Sequence, residues 1–339
     1  MANTVPDDVK ETAITEDEAA LYDRQIRLWG FDAQTRMRNA TVLVLRLRGT
    51  ACEVIKNIVL AGIGTLKIMD DADVSELDLG AGFFFREDDV GKKRVDAAVP
   101  RIAALNPLVN IVSVSAPLDL ADESLHALFV NVDMVCATDY DRTTLEKLDD
   151  ACRKQGKQFY AGGTMGCYGY AFCDLGEHSY VSQDKTKPNA PQIRKTYKYT
   201  PLSSALKASW SHLSKRDTKE VKPEVVFAIL AMWEYEAKHG SLPESSDALE
   251  ELQTIGNQLL SAAQVNKLVL KTMPTQHLEF LSTTAPYELS PICAVLGGFL
   301  AQDMLKATGG REAPMANFFT FDGMGGGGTV CRLGMRDAV

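Results

Sequence analysis

The segment from Thr41 to Ala61 constrains this 339-residue chain more than any other. Residues 41–45 (TVLVL) read as a buried strand and residues 52–61 (CEVIKNIVLA) as the helix after it, the order that opens a nucleotide-binding βαβ unit. In such units the intervening turn is rich in glycine. Small residues let the backbone bend and let phosphate reach the N–H groups at the helix N-terminus. Here the turn is Arg46-Leu47-Arg48-Gly49-Thr50-Ala51, so two arginines and a leucine fill the space that phosphates need. The expectation is a nucleotide-binding fold that no longer binds its own nucleotide.

Length allows one large α/β domain with an insertion, or two domains, and 45% hydrophobic with 24% charged residues is an ordinary globular balance. No apolar run approaches the roughly 20 residues of a bilayer-spanning helix, and the first twenty residues are acidic rather than a basic leader. A soluble intracellular protein without a membrane partner is expected. The net charge of −9 argues against a nucleic-acid surface, so no nucleic-acid partner is expected either. The seven cysteines are scattered without a CxxC pair, which favours reduced, buried thiols. None of the five histidines is spaced to a second His or Cys as metal ligands are, so no metal is expected. Charge is unevenly spread: residues 185–222 carry ten basic and two acidic side chains, a net +8 in a chain whose total is −9. A solvated linker and helix surface is favoured there over a docking patch or an import signal.

Along the chain, Thr15-Glu16-Asp17-Glu18 reads as a capping box opening a helix that Gly30 ends. Strands at 41–45, 65–69, 110–115, 133–137 and 158–161 then alternate with helices at 52–61, 92–105, 122–130 and 142–154. This alternation predicts a mainly parallel sheet covered on both faces. Antiparallel strands follow at 166–175 and 179–181, then a stretch with prolines and no apolar period. Helices are expected at 223–238, with Pro at its first turn and Gly240 at its end, and at about 247–260, capped by Ser245 or Ser246. Ser290-Pro291 is read as capping a nearly all-apolar helix to Leu305, and strands at 318–321 and 329–333 flank a glycine-rich turn.

Several of these residues together resemble the ubiquitin-like modifier activating enzymes. They are Tyr22-Asp23-Arg24-Gln25-Ile26-Arg27-Leu28-Trp29-Gly30, Cys52-Glu53 before a helix, Asp73-Val74-Ser75, Tyr168-Gly169-Tyr170, Gly176-Glu177-His178, and the run from Ser290-Pro291 to Gly297-Gly298. The overlap covers nearly the whole chain. Length and the ending Asn317-Phe318-Phe319-Thr320-Phe321-Asp322-Gly323-Met324 look most like the small, non-catalytic subunits of the SUMO-specific, Aos-type branch. The resemblance implies an α/β, Rossmann-like adenylation domain of the ThiF/MoeB type, with a mixed, mainly parallel sheet and a helical insertion. Its expected parts are a flexible N-terminus (1–14), a first part (15–182), a basic, mainly helical insertion (183–268) and a C-terminal part (269–339).

Active members of that family carry a complete glycine-rich loop, a ribose acid, an Asn-Arg-Gln segment, a lysine and a magnesium-binding Asp. Here Arg46, Arg48 and Ala51 stand where glycines are expected and only Gly49 remains. Asp70 falls at the ribose-acid position, although a strand-end cap is favoured for it, and Arg94 falls near the lysine. Tyr140-Asp141 falls near the magnesium acid, within about one residue. Asp78-Leu79-Gly80-Ala81-Gly82 replaces the Asn-Arg-Gln segment. No cofactor is therefore expected on this chain, and Mg-ATP is expected in a partner's site.

By the same resemblance, Arg24 reaches across a dimer to the partner's ATP as an arginine finger, with Arg27 as a candidate assistant or as an anchor of its own helix. Judged on residues alone, Arg24 is a solvated arginine paired with Asp23 or Asp17. Trp29 and residues 83–85 are either core or dimer interface. Among the cysteines only Cys52 sits at a helix start, and burial is favoured for it. Implied partners are the catalytic (Uba-type) subunit that carries the thioester cysteine, the modifier SUMO and, through the complex, the SUMO-conjugating enzyme. The implied compartment is the nucleus, with the cytoplasm second. The rival readings are the equivalent subunit for the modifier Nedd, a self-sufficient homodimeric sulfur-carrier adenylating enzyme, and a dinucleotide-dependent oxidoreductase.

Overall fold

A computed structural model describes residues 14–182 and 192–335. Most of the expected N-terminal tail, together with Lys185 and Lys187 of the basic segment, lies outside the described residues. Helix α1 (Glu16–Leu21) opens at a reciprocal capping box: Thr15 Oγ1 accepts the Glu18 N–H at 3.2 Å and the Glu18 carboxylate accepts the Thr15 N–H at 3.0 Å. The single helix expected up to Gly30 breaks at Tyr22, so that α2 (Asp23–Trp29) is separate. Tyr22 is buried, takes a hydrogen bond from Asn106 at 2.7 Å, and lies so close to Gly62 that a Cβ there would meet its ring at 2.4 Å. A further helix, α3 (Phe31–Asn39), was not expected; Ala33, Gln34 and Met37 are its buried face.

The alternation then runs β1 (Thr41–Leu45), α4 (Gly49–Leu60), β2 (Thr65–Met69), α5 (Asp78–Ala81), α6 (Arg94–Leu105), β3 (Asn110–Val114), α7 (Asp122–Leu128), β4 (Met134–Thr138), α8 (Arg142–Lys154), β5 (Gln158–Met165) and β6 (Tyr168–Asp174). Next come β7 (Glu177–Ser182), β8 (Ile193–Lys198), α9 (Leu202–Ala205), α10 (Lys215–Glu220), α11 (Pro223–His239), α12 (Leu249–Ala262) and α13 (Thr275–Thr284). The described chain closes with α14 (Ser290–Gly309), β9 (Phe318–Asp322) and β10 (Gly327–Cys331). The main sheet has the order β10-β9-β6-β5-β4-β1-β2-β3. Strands β3, β2, β1, β4 and β5 run parallel, and β6, β9 and β10 are antiparallel to their neighbours. The chain leaves β1 on one side for β2 and returns on the other side as β4. That reversal is the topological switch point where open α/β sheets place their ligand crevice.

Alternation along β1 sends Val42 and Val44 to one face and Leu43 and Leu45 to the other, each into its own buried cluster. On the first face α14 packs against α4 so closely that a Cβ on Gly297 would lie 2.4 Å from the Glu53 Cβ. Ser290 does not cap α14; Leu289 is its N-cap, with no side-chain bond, and Pro291 occupies the first turn. On the other face α11 is buried from Val225 to Trp233, and the Trp233 ring meets Tyr170 at 4.7 Å. Residues of α11, α12 and α13 thus belong to the same cluster as β4, β5 and β6. The proline-containing stretch holds a strand: β8 pairs antiparallel with β7, with Glu177 opposite Lys198. Its side chains are mostly exposed, so no apolar period marks it in the sequence.

A buried acid pair ties this second face together. Asp174 receives Arg153 Nε at 2.8 Å and the Gly176 N–H at 2.8 Å, while Asp149 accepts the Leu202 N–H at 2.6 Å and its other oxygen has no donor among the described residues. Burial first, and then the Asp174 charge, push the Asp149 carboxyl well above the usual carboxylate range. The native state therefore holds this proton where the unfolded chain has released it, and stability falls as pH rises from the ordinary carboxylate range through the raised value. Asp149→Asn presents the same acceptor and donor without an ionisation. The gain of the variant over the parent in urea unfolding is expected to be larger at pH 8.5 than at pH 5 by about 1 kcal/mol or more. Equal pH dependence of the two proteins would remove Asp149 from this role.

Candidate functional site

The crevice at the switch point is built by the residues that follow β1, β2 and β4. Directly after β1, Arg46 takes a left-handed conformation (φ 67°), a region that costs a non-glycine residue about 1–2 kcal/mol. Three contacts hold it there: its N–H donates to the Met69 carbonyl at 2.9 Å, its guanidinium donates to the Asp139 carbonyl, and the same group lies over the Tyr140 ring, 5.1 Å from the centroid. Leu47 is buried, and its N–H donates to Asp70 Oδ2 at 2.6 Å. Helix α4 begins at Gly49, three residues before the expected Cys52, so Thr50 and Ala51 are buried in its first turn.

Arg48 is the N-cap residue of α4 and supplies no side-chain acceptor. The acceptor comes instead from Glu288, which sequence reasoning missed. The Gly49 N–H donates to Glu288 Oε1 at 3.1 Å and to Oε2 at 3.3 Å, and Arg48 Nε lies 3.3 Å from Oε2. A carboxylate thus sits where a bound phosphate would receive the helix N-terminal amides.

Beside it, Arg94 pairs with Asp70 at 3.5 Å and with Asp78 at 2.9 Å. Asp78 also accepts the Ser75 N–H and hydroxyl, each at 2.8 Å, and Asp70 accepts the Ala72 N–H at 2.7 Å. Asp141 does not face this crevice as a magnesium acid would; it caps α8, accepting the Thr144 N–H at 3.0 Å and the Thr144 hydroxyl at 2.6 Å. Directly after β4, Asp139, at φ 57°, accepts the Thr164 N–H at 3.2 Å and has a second, buried oxygen with no donor among the described residues. Burial and the Glu288 carboxylate raise its pKa against the opposing pull of Arg48 and Arg46.

Arg46 and Arg94 stand between two cavities. One, of about 170 Å³, is lined by Arg48, Ser75, Asp78 and Glu288; the other, of about 440 Å³, by Asp70, Asp71, Leu118 and Tyr140. A triphosphate needs free amide donors and surplus positive charge, whereas here the Gly49 amide holds Glu288, and Arg48 and Arg94 are matched to Glu288, Asp70 and Asp78. The residues present do not fit Mg-ATP.

Elsewhere, Arg24 is exposed and makes no hydrogen bond or ion pair with any described residue. Asp23, one of the partners considered for it, pairs with Arg27 at 2.9 Å along α2. Gln25 anchors that helix by donating to the Ala61 carbonyl at 3.0 Å. Phe84 and Phe85 are core, whereas Phe83 is 43% exposed with Lys56 over its ring, and Trp29 is half-buried. Cys52 is fully buried, and burial pushes its thiol up, as it pushes Cys136 and Cys293 up to about 12. Such thiols are poor nucleophiles at neutral pH.

Residues 22–338 match the model of the ThiF family. The chain is 34% identical over 348 residues to SUMO-activating enzyme subunit 1 of Homo sapiens, covering 95% of this chain and 97% of that one. With the Danio rerio protein of the same name it shares 32% over 345 residues, covering 95% and 96%. Among solved structures it resembles selenomethionyl PaaA (TM-score 0.57, 13% identity, 97% of this chain and 78% of that one). It also resembles E. coli MccB with succinimide (TM-score 0.56, 12% identity, 92% and 71%). At these identities the two structures speak for the fold alone.

Because Asp70 and Asp78 are almost fully buried, Arg94 is their necessary counter-ion. Arg94→Ala leaves two carboxylates without it and is expected to cost about 3–5 kcal/mol in chemical unfolding. A loss under about 1 kcal/mol would mean that the acids are neutralised in another way.

Proposed function

This chain belongs to the ThiF family and groups with the SUMO-activating enzyme subunit 1 proteins, and on that premise we propose that it is the non-catalytic, regulatory subunit of a heterodimeric SUMO-activating enzyme. In that enzyme a catalytic partner holds Mg-ATP, the C-terminus of SUMO is adenylated there, and the modifier passes to a cysteine of the partner as a thioester. The observation that carries the regulatory reading is the phosphate seat of this chain, filled by Glu288 and flanked by Arg46 and Arg48. A chain with that seat closed serves a neighbour's chemistry rather than its own. The thiols agree: six of the seven are buried, burial also pushes the partly buried Cys167 up, and unactivated thiols leave the thioester to the partner.

Arg24 is the residue this chain offers. It is exposed, uncommitted among the described residues, and carried on a helix anchored by Gln25. A guanidinium from a neighbouring subunit, directed at the β and γ phosphates, offsets the charge that gathers on departing pyrophosphate. Arg27, bonded to Asp23, keeps α2 in shape. A partner surface is available beside the closed seat, where Leu77 (75% exposed) and Tyr287 (51%) line the smaller cavity and present apolar side chains to solvent.

Arg24→Ala is expected to slow ATP–pyrophosphate exchange by the reconstituted dimer about 10²-fold while subunit association stays intact. An unchanged rate would take Arg24 out of the mechanism. A nucleotide count on the purified dimer is expected to give one ATP per pair of subunits. Pyrophosphate exchange by this chain with SUMO but no partner would overturn the regulatory reading in favour of a self-sufficient adenylating enzyme.

A further inference from the structure

The first turn of an α-helix carries N–H groups that no intrahelical carbonyl can satisfy. At α4 the cap residue contributes none of the missing acceptors, because the Arg48 side chain is itself a donor. The acceptor arrives from 239 positions away in sequence, as both oxygens of Glu288 receive the Gly49 N–H. Only 7% of the Glu288 side chain is exposed, and Arg48 Nε lies 3.3 Å from Oε2. Its backbone is fixed too. Glu288 bridges Gly166, at the turn between β5 and β6, and α14 begins two residues later. From α14, Cys293 Sγ approaches the same carboxylate at 3.9 Å.

The glycine that survives in the turn is the one beneath this carboxylate. A Cβ on Gly49 would lie 3.2 Å from Glu288 Oε1, 2.9 Å from Cys293 Sγ and 2.8 Å from the Ala81 Cβ. Gly49 therefore allows a close approach of an anion to the backbone, as glycine does beneath a phosphate. The anion is part of the chain.

We propose that Glu288 is an intramolecular ligand seated in the phosphate position of α4, closing that seat to oxyanions and joining α4 to the β5–β6 turn and to α14. An incoming phosphate has to displace a buried carboxylate from a charge-assisted contact and then meets a second acid, Asp139, whose free oxygen has no donor among the described residues. Joining three elements that are remote in sequence makes the contact structural as well as exclusive. This inference deepens the regulatory reading and shares its observation, the seat held by Glu288, but its test uses this chain alone and does not depend on the role given to Arg24.

The test uses the full chain with Glu288→Ala and Glu288→Gln, inorganic pyrophosphate as probe, and chloride at matched ionic strength as control. The parent is expected to show no pyrophosphate-specific rise in Tm. Glu288→Ala is expected to unfold about 3 °C or more below the parent and to regain Tm saturably with pyrophosphate, because a ligand that binds only the native state raises its stability. Amide exchange at residues 49–51 should quicken in the variant and slow again when pyrophosphate is added. Glu288→Gln keeps the size and one acceptor oxygen but drops the charge, so it should fall between the two. It carries the test should the alanine variant not fold. A variant as stable as the parent, a parent that responds to pyrophosphate as strongly as the variant, or a variant rescued no better by pyrophosphate than by chloride would each overturn the proposal.

Discussion

The helix-terminal amide of Gly49, held by the Glu288 carboxylate, is the contact on which the rest of the crevice depends. An α-helix that starts at a switch point presents unsatisfied donors and a partial positive charge to whatever stands above the sheet. In a nucleotide-binding chain a phosphate answers that demand. In this one a side chain does, and Arg48 can then be accommodated at the cap because its guanidinium faces the same carboxylate. Beside it, the strain of the left-handed Arg46 is offset by the Asp139 carbonyl and the Tyr140 ring.

Around that contact the charges close on one another. Arg94 sits between Asp70 and Asp78, Leu47 and Ala72 donate their amides to Asp70, and Ser75 holds Asp78. Buried ion pairs of this kind add little net stability, but they are costly to break from one side. The crevice is thereby locked in one arrangement. A crevice whose charges are matched within the chain is in keeping with the regulatory reading proposed above.

Much of the fold was legible in the sequence. Strands β1 and β2 and helix α8 fall on their expected residues, because each combines an unbroken periodicity with clear ends. The start of α4 was misjudged because the irregular Arg-Leu-Arg run hides the point at which the helix begins, and α3 was missed because its short buried face shows little periodicity. Strand β8 was missed because a solvent-facing hairpin needs no apolar pattern. In the site, the loss of the glycines was visible from the residues, whereas Glu288 carried no signal at all: a lone glutamate before Ser290-Pro291 resembles any surface acid.

By itself the sequence determined the α/β alternation, the capping box at Thr15, the Pro and Gly boundaries of α11, and the absence of a glycine-rich turn after β1, because local sterics and backbone hydrogen bonding decide each of these. Only the tertiary structure decided that Asp139 is bonded to Thr164 while Asp141 caps α8, and what fills the phosphate seat. Both depend on where remote segments meet over the ends of β1, β2 and β4. A side chain's partner across 239 residues is set by packing, which no local pattern records.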